Sequence, residues 1–356
     1  MHATASLRMR TSLNSFITQT RTTSQGRRRV MATRLFSTEA SSSTDNSHVL
    51  HNRNLVQSRD YESFAIGLLH PAAIQPSFFA LRAFHVEIAS IQAKESSVAS
   101  MRMKWWFDAI QSLYQYRNSA EANSSSSHSI TAIRGNPTIK GLDEAIQSHN
   151  LTQRFLERMV ETRMGDLEKG SSGRFSTMKD MITFFERTHS TLMFLHLETC
   201  GVIDEEADKV ANCIGIASGI VNMIRSIGCG HVGIPDDLIR KYKVKEQYIN
   251  DPRALIAGED PEARQAMQKA VKEMADLAGK YISHARKHQQ DVPSGGKCAI
   301  LWGVSSLRYL ERLESVDYDI LEEKIRNIEN TDSYDGRMWR LGHMMYLGRA
   351  HLTGVF

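Results

Sequence analysis

The sequence has few cysteines and no long apolar run, and both absences narrow the class of protein. Its four cysteines, in a chain of 356 residues, lie far apart and form no C-x-x-C pair. This spacing favours reduced thiols in a core over a disulfide framework or a zinc site. No stretch of 18 residues is both apolar and uncharged, which argues against a membrane-spanning helix. Length and composition fit a globular protein with one large domain or two.

Acidic residues are missing from the first 38 positions, which hold seven arginines and many serines and threonines. This composition is typical of a mitochondrial transit peptide. The string R-L-F-S predicts cleavage between Phe36 and Ser37, so that residues 1–36 are the leader. The alternative is a basic tail without a targeting role.

The net charge of +4 comes from this leader. Without its seven arginines the chain carries 37 basic and 40 acidic side chains. A folded part with a slight excess of acid lacks the electrostatic signature of nucleic-acid binding, so we expect no nucleic-acid partner.

One stretch, Ser77–Ala93, has strong helical periodicity. Leu81, Phe84 and Ile88 recur at helical spacing and predict the face that enters the core. At 100° per residue a second face carries Arg82, Val86, Ala89 and Ala93, away from the apolar stripe. This second face contains no carboxylate.

A second stretch, Asp204–Pro235, begins as an apolar helix and continues as N-M-I-R-S-I-G-C-G-H-V-G-I-P-D-D-L. Its small residues Ala217, Ser218 and Gly219 favour close approach of a neighbouring helix. The sequence alone gives these two stretches no catalytic role.

Both stretches resemble signature helices of the squalene/phytoene synthase family. The first family signature reads roughly A-x-x-A-F-C-R-x-x-D-D-x-x-D, and the second reads N-I-L-R-D-V-x-E-D followed by L-P-x-D-L. Asn222, Arg225, Pro235, Asp237 and Leu238 match the second signature, and Phe84 matches the first. Uncharged residues stand at the family's acidic positions: Ala89, Ser90, Ala93, Ser226, Cys229 and Gly230.

The resemblance implies an all-α, isoprenoid-synthase-like helical bundle with a central cavity, over residues 55–330. Arg82, Phe84, Asn222 and Arg225 are then expected to line that cavity. The family ionises an allylic diphosphate held by Mg²⁺, a hard cation that requires oxygen ligands. Alanine offers none, so the resemblance implies a protein with no catalytic residues, no bound metal and no cofactor.

The remaining chain divides into two short segments. Residues 37–54 are polar and are predicted to form a disordered joint before the fold begins near Leu55. Residues 331–356 are rich in Met, aromatic residues and Arg, with no acid after Asp335. This amphipathic segment either packs as a final core helix, which its glycines favour, or lies on an anionic membrane surface.

Two strings, F-A-L-R-A-F-x-V-E and M-R-M-x-(W/F)-W, are similar to a mitochondrial branch of the family that acts in assembly of respiratory complex I. The resemblance implies a matrix protein peripheral to the inner membrane, with complex I subunits or other assembly factors as partners. The resemblance leaves open whether the expected central cavity binds an apolar or isoprenoid ligand. The alternatives are a residual prenyl-diphosphate transferase with relocated metal ligands and a lipid or quinone carrier.

His284 and His288 have the i, i+4 spacing of metal ligands on one helix face. The sequence shows no third ligand near them, and we therefore do not predict a metal site there.

Overall fold

The structure, a computed structural model, describes residues 46–91, 96–118, 131, 133–168, 174–228, 233–252, 254–257, 260–328, 330 and 333–356. The predicted leader and three of the motif positions, Ala93, Cys229 and Gly230, lie outside these residues. In the part described, all regular structure is helical, and Ser47–Phe356 forms one compact unit. The α-helices are α1 Ser47–Arg59, α2 Tyr61–Gly67, α3 Gln75–Ser90, α4 Ser96–Asn118, α5 Pro137–His149, α6 Gln153–Glu168, α7 Met178–Phe185, α8 Thr191–Thr199, α9 Glu205–Gly228, α10 Asp236–Tyr242, α11 Glu246–Asn250, α12 Ala254–Ala257, α13 Pro261–His288, α14 Trp302–Glu314, α15 Glu323–Arg326 and α16 Tyr334–Thr353.

Helix α3 is the predicted Ser77–Ala93 helix, shifted by two residues at its start. Pro76 occupies its first turn, where a missing N–H costs nothing, and the chain becomes extended at Ile91. Its apolar face is fully enclosed: Leu81, Phe84 and Ile88 have no exposed surface. Burial of this kind stabilises the fold by about 1.5–3 kcal/mol per large side chain.

Helix α9 crosses the middle of the molecule and packs along α13 and α14. It is long and apolar enough to span a membrane by composition, but two thirds of that stretch is buried inside the protein. Gly215 and Gly219 bring it against a neighbour, because a Cβ at Gly215 would lie 2.4 Å from Ser190 Cα. The neighbour is a π-helical turn, Glu186–Ser190, which joins α7 to α8.

The fold begins earlier than the sequence predicted. The segment 37–54 was expected to be a joint, yet α1 starts at Ser47. Its buried face is largely polar: His48 contacts Glu144 at 2.8 Å, and Thr138 donates a hydrogen bond to the Asn52 side chain at 3.1 Å. Because that face lacks an apolar stripe, hydrophobic periodicity could not reveal the helix.

The C-terminal helix α16 packs on α2 and α14 and belongs to the same compact unit. Its inner face combines apolar, small and polar residues, with Gly336, His343, Leu347 and Ala350 buried. The larger apolar residues point outward, and they share one stripe at helical spacing. These residues are Tyr334, Met338, Leu341, Met345 and Leu352, between 46% and 86% exposed.

Candidate functional site

A cavity of about 500 Å³ lies between helices α2, α3, α9, α14 and α16. Its lining mixes charged, hydroxyl and apolar side chains. Six serines take part: Ser63, Ser90, Ser218, Ser226, Ser305 and Ser306. Each of these hydroxyl groups already has a hydrogen-bond partner within the protein.

Helix α3 contributes the face that the sequence placed away from the core. Arg82, Val86, Ala89 and Ser90 all line the cavity. Phe84, which we also expected there, does not line it. At 100° per residue Phe84 lies about 200° from Arg82, and its ring packs edge-on against Trp106 at 5.4 Å. The motif residue Phe84 is therefore part of the core.

Helix α9 faces α3 across the cavity and presents Asn222, Arg225 and Ser226. These are the positions of the second family signature, and they come together with Ala89 and Ser90 of the first. Two motifs more than 130 residues apart in the chain thus share one cavity. Ser226 donates a hydrogen bond to the Met223 carbonyl at 2.7 Å, as serines in helices commonly do.

Arg225 forms a two-pronged ion pair with Glu62 of α2. Its two terminal nitrogens donate to the two carboxylate oxygens at 3.0 and 2.8 Å, and its guanidinium lies 4.5 Å from the centre of the Tyr309 ring. Burial alone would raise the pKa of Glu62, but the charge and hydrogen bonds of Arg225 lower it to about 2. Glu62 is therefore a carboxylate held by an arginine at neutral pH.

Arg82 forms the second ion pair, with Asp60. Asp60 also caps α2, because its other carboxylate oxygen accepts a hydrogen bond from the Ser63 amide at 3.1 Å. The Arg82 guanidinium lies 5.2 Å from the centre of the Trp302 ring. Each of the two carboxylates that line the cavity, Asp60 and Glu62, is thus paired with one arginine that also lines it.

The C-terminal helix supplies a wall that the sequence analysis did not foresee. Trp339, Arg340 and His343 line the cavity. His343 Nε2 lies 3.2 Å from the Ser305 hydroxyl, and Arg340 stacks over Tyr61 at 4.1 Å. Burial lowers the pKa of His343 to about 4, so its imidazole is neutral at neutral pH.

Buried histidines lie beneath the cavity. His85 lines it and packs against His189, with ring centres 5.1 Å apart. Burial, together with the positive charges of Arg82 and Arg163, lowers the pKa of both histidines, that of His189 to about 3. His196 packs against both Phe78 and Trp302, with ring centres 4.6 and 5.0 Å away, and burial places its pKa well below the usual range. These imidazoles are neutral core groups.

The sequence of this chain matches the squalene/phytoene synthase family model over residues 56–329. The chain therefore belongs to the squalene/phytoene synthase family. The solved structures agree with this assignment. A squalene synthase, HpnC from Alicyclobacillus acidocaldarius, covers 77% of this chain and 95% of its own, with a TM-score of 0.59 and 15% identity. A dehydrosqualene synthase covers 86% and 97%, with a TM-score of 0.63 and 10% identity. The predicted all-α isoprenoid-synthase fold is confirmed.

Within the family, this chain is similar to proteins named NADH dehydrogenase (ubiquinone) complex I, assembly factor 6. The protein of Mus musculus is 31% identical over 283 residues, which are 78% of this chain and 77% of that one. The Homo sapiens protein is 30% identical over 278 residues. The Drosophila melanogaster homolog is 28% identical over 275 residues.

Proposed function

We propose that this protein acts in the assembly of mitochondrial respiratory complex I and that it does so without catalysis. The observation that carries the first part is its similarity to complex I assembly factor 6 proteins over three quarters of the chain. Complex I subunits or other assembly factors are then its partners.

The second part of the proposal, the lack of catalysis, is argued from the cavity. Three residues that line the cavity are uncharged at positions where we expect the family signatures to have acids. These residues are Ala89, Ser90 and Ser226. The carboxylates that do line it, Asp60 and Glu62, each hold an arginine. Mg²⁺ needs several oxygen ligands, usually with full negative charge nearby. Two carboxylates that are already neutralised by guanidinium groups are a poor substitute for acidic Mg²⁺ ligands.

The test of this second part is turnover. We expect purified protein with Mg²⁺ to convert no farnesyl or geranylgeranyl diphosphate above a heat-treated control. The double variant Ala89→Asp/Ser226→Asp is the matched comparison, since it returns two acids to the lining. Turnover by the unmodified chain would reject the proposal and support the alternative, a residual prenyl-diphosphate transferase.

The location we propose is the mitochondrial matrix, peripheral to the inner membrane. Support for the matrix comes from the arginine-rich leader with its R-L-F-S string. Terminal sequencing of the protein from isolated mitochondria is expected to give Ser37 as its first residue. An intact Met1 on the organelle-resident protein would contradict this.

Support for the membrane contact comes from α16. Five large apolar residues share its outward stripe, and Arg349 beside them is exposed. A helix that carries apolar residues outward with an arginine at its edge is suited to the interface of an anionic bilayer. The inner face of the same helix is already packed, so a membrane contact through the outer stripe is compatible with that packing.

The assembly function itself is tested in cells that lack the protein. We expect native gels to show reduced complex I, with NADH-linked respiration lowered and succinate-linked respiration largely unchanged. The Ala89→Asp/Ser226→Asp variant should restore complex I no better than the unmodified chain. Phe84→Asp should fail to restore it, because an unpaired carboxylate in the core costs several kcal/mol. Normal complex I in the deleted cells would refute an assembly role.

A further inference from the structure

Three side chains with metal-ligating atoms meet where α9 begins and α13 ends. Glu206 lies in the first turn of α9, His288 is the last residue of α13, and Asp291 follows in the next turn. One ligand atom from each lies within 4.8 Å of the other two. His288 Nδ1 and Asp291 Oδ2 are 3.4 Å apart. None of the three lines the central cavity.

A second imidazole stands one helical turn back on α13, outside the cluster of three ligand atoms. His284 precedes His288 by four residues, and the two ring centres are 4.8 Å apart. From the sequence this pair lacked a third partner. The packing of α9 along α13 supplies it, because Glu206 is brought beside His288 from 82 positions away in the chain.

We propose that Glu206, His288 and Asp291, with His284 as a fourth ligand, bind a divalent transition metal ion, for which Zn²⁺ is the best match. Imidazole nitrogen and carboxylate oxygen are both zinc ligands, at bond lengths of about 2.0–2.2 Å. Mg²⁺ and Ca²⁺ prefer sites made of oxygen alone, so the imidazoles select against them.

The geometry needs only a small contraction. Ligand atoms about 2.1 Å from a tetrahedral ion lie roughly 3.4 Å from one another, and the His288–Asp291 pair already has that separation. Glu206 and Asp291 have 43% and 55% of their side-chain surface exposed, so their rotamers are free to adjust. The C-terminal end of α13 adds the negative end of a helix dipole, which favours a cation.

Three positive features oppose the ion. The N-terminal end of α9 contributes the positive end of a helix dipole, Lys297 is attracted by Asp291, and Lys209 pairs with Glu206. Lys209 Nζ lies 2.9 Å from carboxylate oxygens of both Glu205 and Glu206. Binding of the metal to Glu206 leaves Lys209 with Glu205, and exposed pairs of this kind contribute little to stability. The competition therefore weakens the site without removing it. Once bound, the ion joins the start of α9 to the end of α13.

The test uses the full chain, free of any affinity tag and stripped of metal with EDTA. We expect saturable Zn²⁺ binding by calorimetry, a visible absorption band with Co²⁺, and a melting temperature that rises with Zn²⁺. His288→Ala and Glu206→Gln should each bind Zn²⁺ at least roughly tenfold more weakly, as expected for lost metal ligands. Glu262→Gln is the control, because it removes an exposed carboxylate at the opposite end of α13 from His288.

Each outcome decides the proposal. Equal Zn²⁺ affinity in the Glu262→Gln control and the unmodified chain, with weaker binding by Glu206→Gln, supports the site. Equal affinity in His288→Ala and the unmodified chain overturns it, as does the absence of saturable binding. Unchanged affinity in His284→Ala would reject the four-ligand form. All four positions are at least partly exposed, so the metal-free variants should melt at the temperature of the unmodified chain.

Discussion

The ion pair between Glu62 and Arg225 gives a prediction whose size follows from the structure. Replacing Glu62 with Gln keeps the shape of the side chain but leaves the Arg225 guanidinium without its carboxylate. The folded protein lowers the pKa of Glu62 from 4.5 to about 2, and a shift of that size corresponds to about 3 kcal/mol of stability. Removing one partner of a buried pair costs about 3–5 kcal/mol in other proteins. Both partners are less than one fifth exposed, so Glu62→Gln should cost about 3 kcal/mol.

Urea unfolding of the two proteins measures this cost. Because the pKa of Glu62 is depressed in the folded state, its stabilisation is complete above pH 4.5 and is lost as the pH falls toward 2. The difference between the two proteins should therefore be constant from pH 7 to 5 and should shrink below that. The double variant Glu62→Leu/Arg225→Met should recover most of the loss, since apolar groups replace a buried pair well. The surface variant Lys209→Met is the control and should change stability by less than about 1 kcal/mol. A loss below about 1 kcal/mol in Glu62→Gln, or no recovery in the double variant, would refute the reasoning.

Three further changes test the packing and the outer surface. Gly215→Ala should destabilise the protein by about 1–3 kcal/mol or more, because its Cβ would meet the Ser190 backbone at 2.4 Å. The control Gly165→Ala has open space and should gain about 0.5–1 kcal/mol in thermal unfolding; equal melting temperatures for the two would contradict the contact. His196→Phe keeps the stack on Trp302 while removing two buried ring nitrogens that have no hydrogen-bond partner among the described residues. It should be neutral or stabilise by about 1 kcal/mol, and a loss above 2 kcal/mol would show that those nitrogens are bonded. Leu341→Asp should weaken sedimentation of the protein with anionic vesicles, whereas Ile203→Asp, at a position that is 95% exposed elsewhere, should not; equal effects would exclude α16 as the contact.

Apolar periodicity predicted the elements whose buried face is apolar. The 3.6-residue repeat of Leu81, Phe84 and Ile88 gave α3 to within a few residues, and it separated the core face from the face of Arg82. The same criterion missed α1, whose buried stripe includes His48 and Asn52.

The candidate site was predictable only where motifs had been recognised. Asn222, Arg225 and Arg82 were expected in the cavity because of a resemblance, since their spacing alone does not bring them together. The carboxylates that pair with them gave no local signal: Glu62 lies 163 positions from Arg225 in the chain. Trp339 and His343 were missed for the same reason, because only the packing of the last helix against α2 and α14 places them at the cavity.

Helix α16 forms part of the cavity wall on one side and part of the outer surface of the protein on the other. Trp339 and His343 form part of the cavity wall, and Leu341 and Met345 stand on the opposite side of the same few turns. A helix cannot shift at one side and stay fixed at the other, so displacement of the outer stripe would change the distance between His343 and Ser305. Thermodynamic linkage then requires reciprocity: a molecule in the cavity that favours one helix position changes the affinity of the stripe for its own contact by the same factor. In this way the C-terminal helix would couple the cavity to a contact on the outer surface.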